Sequence, residues 1–346
     1  MRRVLAALVG LLLGLVAAPV PRAVAAVDGY GWVWADQASH RVGEWYRPDT
    51  GYQYGFPGPG HENLVRHEGP GTYTVYFDGV LRAGVGHVNA YGGDTRARCK
   101  IASRAPGITG EYLVVQCHSF GGALVDSMFT ASFTNVRTRN HPFAYRASYG
   151  GTVVQHNSSF GAVTSTRVEA GTYRVAFKGL PERGTVLVTA TGPDAVWCTN
   201  GRAALDGLSL VVWVICHSPV DGSRADSEFD VTYAVGGGVT GAPEPVAGYA
   251  LVTSTPGLPI PFQFPEPRWR LENPERGVWV ITPWRPVDRG AYQITVDDAQ
   301  PNTCVTAGWY ASLTVRCYDL AGAPLDTGLY VSYLGTPEPL RDGGTP

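Results

Sequence analysis

Apolar and polar residues alternate in period two along most of the chain, and no stretch reads as a helix of useful length. The alternation first predicts strands near residues 30–34, 52–56, 64–66, 72–77, 85–91, 97–103, 111–118 and 128–134. Glycine and proline clusters separate them and supply the turns.

The phrase GTYTVYF at 71–77 returns as GTYRVAF at 171–177, and a weaker third copy keeps the same order of features. Gly71, Gly171 and Gly277 are each followed two and four residues later by large apolar residues: Tyr73 and Val75, Tyr173 and Val175, Trp279 and Ile281. A second alternating run leads to Cys99, Cys198 and Cys304, which lie 28, 27 and 27 residues after the glycine. A second cysteine follows (Cys117, Cys216, Cys317), then an Asp-Ser or Asp-Thr pair starting at Asp126, Asp226 and Asp326. Each copy opens on a strand carrying Trp32 and Trp34, Phe143 and Tyr145, or Tyr249 and Leu251.

Recurrence at a fixed period marks one folding unit used three times. The expectation is an all-β protein of three tandem β-sandwich modules, immunoglobulin-like or jelly-roll-like, with about eight strands each. Module 1 is assigned to 27–135, module 2 to 136–235 and module 3 to 249–334. Residues 236–248, GGGVTGAPEPVAG, read as a Gly/Pro linker that leaves module 3 free to swing, and 335–346 as a disordered tail. Module 3 is divergent: Pro283 replaces Phe77 and Phe177, and its cysteines lie 13 residues apart rather than 18.

One cysteine pair per module predicts disulfides Cys99–Cys117, Cys198–Cys216 and Cys304–Cys317, each stapling a hairpin. A closed loop of this size contributes about 3 kcal/mol in the chain-entropy model, which supplements the modest core of a small module. Six metal-binding thiolates are the other reading, but no CxxC spacing supports them. Disulfides require export, and the N-terminus carries its signal. Arg2 and Arg3 precede an apolar run from Val4 to Val16 and the small-residue site Ala23-Val24-Ala25. A signal peptide over 1–25 is expected, with a secreted, extracellular mature chain beginning near Ala26. An uncleaved anchor is the alternative, although the run is short for a span of about 20 residues. No other segment is long and apolar enough to cross a membrane.

Removing that segment removes three arginines, so Lys+Arg fall from 27 to 24 against 29 acids. The acidic balance argues against a nucleic-acid partner. No GxSxG, HExxH, phosphate-loop or EF-hand pattern appears, so no catalytic residue, metal or cofactor is assigned. His61 and His67, six apart with Glu62 between, lie in a Gly/Pro-rich loop and could ligate a metal. His118 and His217 follow the second cysteine, where module 3 has Tyr318, and read as a strand face outside the core. The repeated Asp126, Asp226 and Asp326 are either calcium ligands or local turn caps, and the cap needs no further carboxylates. Trp279, and the pair Trp32 and Trp34, read as core. Trp45, Tyr46 and Trp269 lie in loops beside Arg47, Arg268 and Arg270 and are the candidate ligand-binding residues, as rings that could stack on sugars.

The segments GTYTVYFDG…RC…QCHSFGGALVDSMFTASF and GTYRVAFKG…WC…ICHSPVDGSRADSEFDVTY resemble a tandem two-cysteine β repeat in secreted proteins of actinobacterial type. The resemblance covers nearly all the mature chain and is strongest in modules 1 and 2. It implies an extracellular, β-rich module and assigns no activity. The expected function is a non-enzymatic adhesive, envelope-associated or structural protein whose partner is a cell-wall or extracellular polysaccharide or a surface protein. Carbohydrate binding through loop aromatics is its specific form. A secreted hydrolase is the alternative from another class, and would need two carboxyls about 5–10 Å apart in a cleft. Peptide mapping without reduction should recover the three pairs within modules, with no free thiol and no cross-module link.

Overall fold

The computed structural model describes residues 28–56, 61–80, 83–93, 95–138, 140–149, 151–241, 247–265, 269–283, 290–309 and 312–335. The expected signal peptide, residues 242–246 of the linker, Trp284 and the tail after Gly335 lie outside them. The described residues contain strands and no helix. Module 1 holds β1 (Tyr30–Ala35), β2 (Trp45–Tyr46), β3 (Gln53–Phe56), β4 (Leu64–Gly69), β5 (Thr72–Asp78), β6 (Val85–Tyr91), β7 (Ala97–Pro106), β8 (Gly110–Ser119) and β9 (Met128–Thr134). Module 2 holds β10 (Phe143–Tyr149), β11 (Thr152–Asn157), β12 (Val163–Glu169), β13 (Thr172–Lys178), β14 (Thr185–Thr191), β15 (Trp197–Asp206), β16 (Ser209–His217) and β17 (Glu228–Ala234). Module 3 holds β18 (Ala247–Val252), β19 (Gln263–Phe264), β20 (Arg270–Glu275), β21 (Val278–Thr282), β22 (Gly290–Val296), β23 (Thr303–Trp309), β24 (Leu313–Tyr318) and β25 (Leu329–Gly335). Every strand expected in module 1 forms, and β2 is added.

Each module is a sandwich of two sheets. One is ordered β3-β1-β9-β6 in module 1, β11-β10-β17-β14 in module 2 and β19-β18-β25-β22 in module 3. The other is β2-β4-β5-β8-β7, β12-β13-β16-β15 and β20-β21-β24-β23. Val33, Tyr73, Val75, Phe77, Leu113, Val115, Phe129 and Phe133 fill the space between the two sheets of module 1. The three disulfides join directly opposed residues in the hairpins β7–β8, β15–β16 and β23–β24.

The repeated glycine, cysteine and aspartate form one lock. The backbone N–H of Gly71, Gly171 and Gly277 donates to Oδ1 of Asp126, Asp226 and Asp326 at 2.7, 2.9 and 2.7 Å. The carbonyl of each glycine accepts from the second cysteine's N–H at 2.8, 2.7 and 2.8 Å. The aspartate is therefore a long-range tie to a glycine 55, 55 or 49 residues earlier in the same module, not the local turn cap expected from sequence. Glycine is required here because φ is +61°, +63° and +76°. A Cβ on Gly171 would also lie 2.6 Å from the Ala225 nitrogen and 2.7 Å from the Cys216 oxygen.

The modules close into a ring. Thr191 at the end of β14 pairs in parallel with Ile101 of β7, and the Gly192 N–H donates to the Ile101 carbonyl at 3.0 Å. Tyr91 at the end of β6 pairs with Thr306 of β23, with Gly92 donating to Thr306 at 2.9 Å. Asp297, just after β22, bridges in parallel to Asn200 of β15. The same strand end thus meets the same neighbouring strand three times, 2 to 1, 1 to 3 and 3 to 2. A heterologous contact whose rotation closes makes a ring. Around the axis, Cys99, Cys198, Cys304 and the equivalent Asn89, Thr189 and Thr295 line a cavity of about 70 Å³.

Ring closure corrects two expectations and extends a third, the core placement of Trp32 and Trp34. Module 3 does not swing, because β22 and β23 are held by modules 2 and 1, and linker residues Val239 and Thr240 are buried. Trp32 and Trp34 are buried, but on the face opposite Val33 and Ala35, against the neighbouring modules. His118 and His217 are buried at 6% and 1% exposure instead of lying on an open face. Gly171→Ala should lower stability to urea by more than Gly207→Ala. Gly207 shares the left-handed backbone (φ +60°) but has open space where a Cβ would sit, so its cost should stay near the roughly 1–2 kcal/mol of that conformation.

Candidate functional site

Module 1 carries an aromatic row on the outer face of its β2-β4-β5-β8 sheet. Trp45 pairs with Arg66 of β4, so its ring points outward, and its immediate neighbour Tyr46 must point inward. Trp45 is 38% exposed and Tyr46 only 7%. The Trp45 and Tyr112 ring centroids lie 6.4 Å apart, and those of Tyr112 and Tyr76 lie 4.7 Å apart. Tyr76 and Tyr112 are directly opposed on β5 and β8, both half-buried. The Arg66 guanidinium sits 4.7 Å over the Trp45 ring and is steered by Glu68 Oε1 at 2.7 Å. At the other end, Tyr76 and Thr109 share a 2.6 Å hydroxyl contact, and Thr109 donates to Asp78 Oδ1 at 3.0 Å. Three ring faces with a polar rim at both ends suit a ligand whose own faces are apolar and whose edges carry hydroxyls.

Of the three expected binding residues, only Trp45 reaches solvent. Tyr46 belongs to the sandwich core of module 1. Trp269 is 5% exposed, packs in the core of module 3 and donates its indole N–H to the Phe264 carbonyl at 3.0 Å. Both corrections have one cause: residues that read as loop are short strands or strand ends docked on a core. Tyr76 and Tyr112 were missed, although the repeat marks one of them, because Ala176 stands in module 2 where Tyr76 stands in module 1.

The two histidine candidates do not converge on one site, although one of them meets a repeated aspartate. His61 Nδ1 faces Asp78 Oδ2 at 3.0 Å, whereas His67 bonds the His40 carbonyl and Asp126. Among the described residues no group of three or more His, Cys, Asp or Glu is placed to hold a metal. Each repeated aspartate has a different additional partner: His67 for Asp126, Arg167 for Asp226 and Asn273 for Asp326. Arg167, followed by the Gly171 N–H, holds the Asp226 carboxyl well below the usual carboxylate range.

The interfaces carry a buried ion pair and a buried histidine. Arg104 of module 1 and Asp230 of module 2 form an ion pair at 2.6 Å with side-chain exposures of 3% and 0%. Burial pushes the Asp230 carboxyl up, while Arg104 and the N–H groups of Gly86 and Ser148 oppose the shift. His87 lies fully buried beside them, its Nδ1 3.1 Å from Thr189 Oγ1 and its Nε2 2.8 Å from Thr232 Oγ1. Burial first, and Arg104 second, lower its imidazole to about 3.

No family model, curated protein or solved structure matches the chain. Function must therefore be argued from these sites alone.

The His87 shift sets a pH dependence. The unfolded imidazole titrates near 6.5 and the folded one near 3. Between those values the unfolded state binds the extra proton, so stability is complete above pH 6.5 and falls as pH drops. The slope from this group is at most about 1.4 kcal/mol per pH unit. In urea titrations from pH 7 to pH 4, His87→Gln should lose stability less steeply than the wild type.

Proposed function

We propose that this chain is an exported, non-enzymatic adhesive protein of the cell envelope or its surroundings, and that it adheres by laying polysaccharide along the aromatic row of module 1. The observation that carries this reading is the row Trp45–Tyr112–Tyr76 on a rigid sheet face. The C–H face of a sugar ring packs on the electron-rich face of an aromatic ring, and polar groups at the rim bond the hydroxyls. Rings fixed on strands hold that geometry better than rings on loops. The disulfides agree with an oxidising compartment. The sandwiches, of the immunoglobulin-like or jelly-roll kind, are the frame: among the described residues modules 2 and 3 show no such row, and their contribution is to lock module 1 into the ring. Docking to a surface protein is a second reading. It is favoured by Ile108 and Leu208, 98% and 79% exposed at equivalent tips of the β7–β8 and β15–β16 hairpins.

The test is co-sedimentation of the mature protein with insoluble polysaccharides and with isolated cell walls. Trp45→Ala and Tyr112→Ala should each weaken retention by about tenfold, which corresponds to about 1.4 kcal/mol. Retention that survives both substitutions but is lost in an Ile108→Asp, Leu208→Asp double variant would replace the saccharide reading by the protein-docking one. Absence of retention of the wild type on every matrix would remove the saccharide reading.

A further inference from the structure

The residue five positions after the first cysteine of each module points at the next module in the ring. In module 1 it is Arg104, which fills its interface and pairs with Asp230 of module 2. In module 3 it is Trp309, whose indole stacks on Trp34 of module 1 at 4.5 Å, beside Tyr52. In module 2 it is Ala203, whose methyl packs on the core cluster of that module but is too short to fill the interface as Arg104 and Trp309 do. The interface between modules 2 and 3 accordingly holds a cavity of about 290 Å³. One wall is Leu210 and Tyr233 of module 2, the other Leu251, Phe262 and Tyr330 of module 3. Leu251 and Tyr330 occupy the places that Trp34 and Thr130 occupy in module 1, so this is the same socket with its plug absent.

We propose that this socket is a binding site for a small flat organic cation, an amidinium, guanidinium or amino-substituted aromatic ring. Three observations on the page choose that chemistry. The two occupied sockets hold a guanidinium and an indole, both flat groups that carry N–H donors. The rings of Tyr233, Phe262 and Tyr330 line the open socket together with Leu210 and Leu251, which suits a planar body and favours a cation over a ring face. Asp297 supplies the inner charge. It stands where Tyr91 stands in the Trp309 socket, and Asn200 Nδ2 donates to its Oδ1 at 2.5 Å. The other charged lining groups, Glu182, Arg183 and Arg202, are exposed at the mouth. Burial pushes the Asp297 carboxyl up to about 6, against the lowering effect of the Asn200 hydrogen bond and with the Asp298 charge adding to the rise. The volume lies at the lower edge of small-ligand pockets, roughly 300–1,000 Å³, so the occupant is of one-ring size. The site is independent of the module 1 aromatic row, and its test does not touch that row.

The experiment is calorimetric titration and thermal-shift measurement of the full mature protein with benzamidine, against benzamide and benzoate as neutral and anionic counterparts. Benzamidine should bind saturably and raise the melting temperature, and both counterparts should bind at least tenfold more weakly. Ala203→Trp, which supplies the plug found in module 3, should abolish binding and leave the protein at least as stable. Asp297→Asn should weaken benzamidine at least tenfold and leave benzamide unchanged, so the proposal stays testable if the tryptophan variant fails to fold. No binding of benzamidine, equal binding of benzoate, or binding that persists in both variants would each overturn it.

Discussion

Closure of three copies of one module on themselves is the constraint behind the rest of the structure. At the axis a single repeat position meets its own equivalents, so identical residues there would face one another in like pairs. The chain solves this by divergence. The position before the first cysteine is Arg98, Trp197 and Thr303. The Arg98 guanidinium lies 3.7 Å from the Trp197 ring centroid, and its Nε donates to Thr303 Oγ1 at 2.6 Å. Cation, ring and hydroxyl are complementary where three arginines would repel. Burial lowers the guanidinium to about 9, and the aromatic face, the Thr303 hydroxyl and the Phe120 carbonyl replace part of the hydration it loses.

The same logic runs outward from the axis. Each interface is built from the same strands, yet each is finished with different chemistry: a buried ion pair between modules 1 and 2, stacked indoles between modules 3 and 1, and a cavity between modules 2 and 3. Removing one partner of a buried pair such as Arg104–Asp230 is far costlier than removing the pair, which couples those two positions. Within modules, by contrast, the Gly–Cys–Asp lock is unvaried. It sits inside one copy and never meets its equivalents, so nothing requires it to differ.

Much of the fold was legible because period-two alternation, turn glycines and paired cysteines are local signals. Strand positions in module 1, the hairpin disulfides and the repeat order all follow from them. The candidate site was legible only in part. Trp45 could be picked out as an aromatic beside an arginine, but its neighbours in the row, Tyr76 and Tyr112, are 31 and 67 residues away in sequence and adjoin it only through sheet pairing. Trp269 was misplaced because its burial depends on the core cluster of module 3, which gathers residues far apart in sequence and which no local pattern records.

The sequence by itself determined the module, because the left-handed glycine, the alternation and the two cysteines act over distances the chain can specify locally. It also determined that a strand such as Tyr30–Ala35 has two distinct faces. Only the tertiary structure decided what each face meets. Alternation says that Trp32 and Trp34 lie together, opposite Val33 and Ala35, but both sets are apolar. The partner of the tryptophans belongs to modules hundreds of residues away, as the contact of Trp34 with Trp309 shows. The ring, its sockets and the one left open by Ala203 arise from that choice, because they depend on how three copies fit together in space.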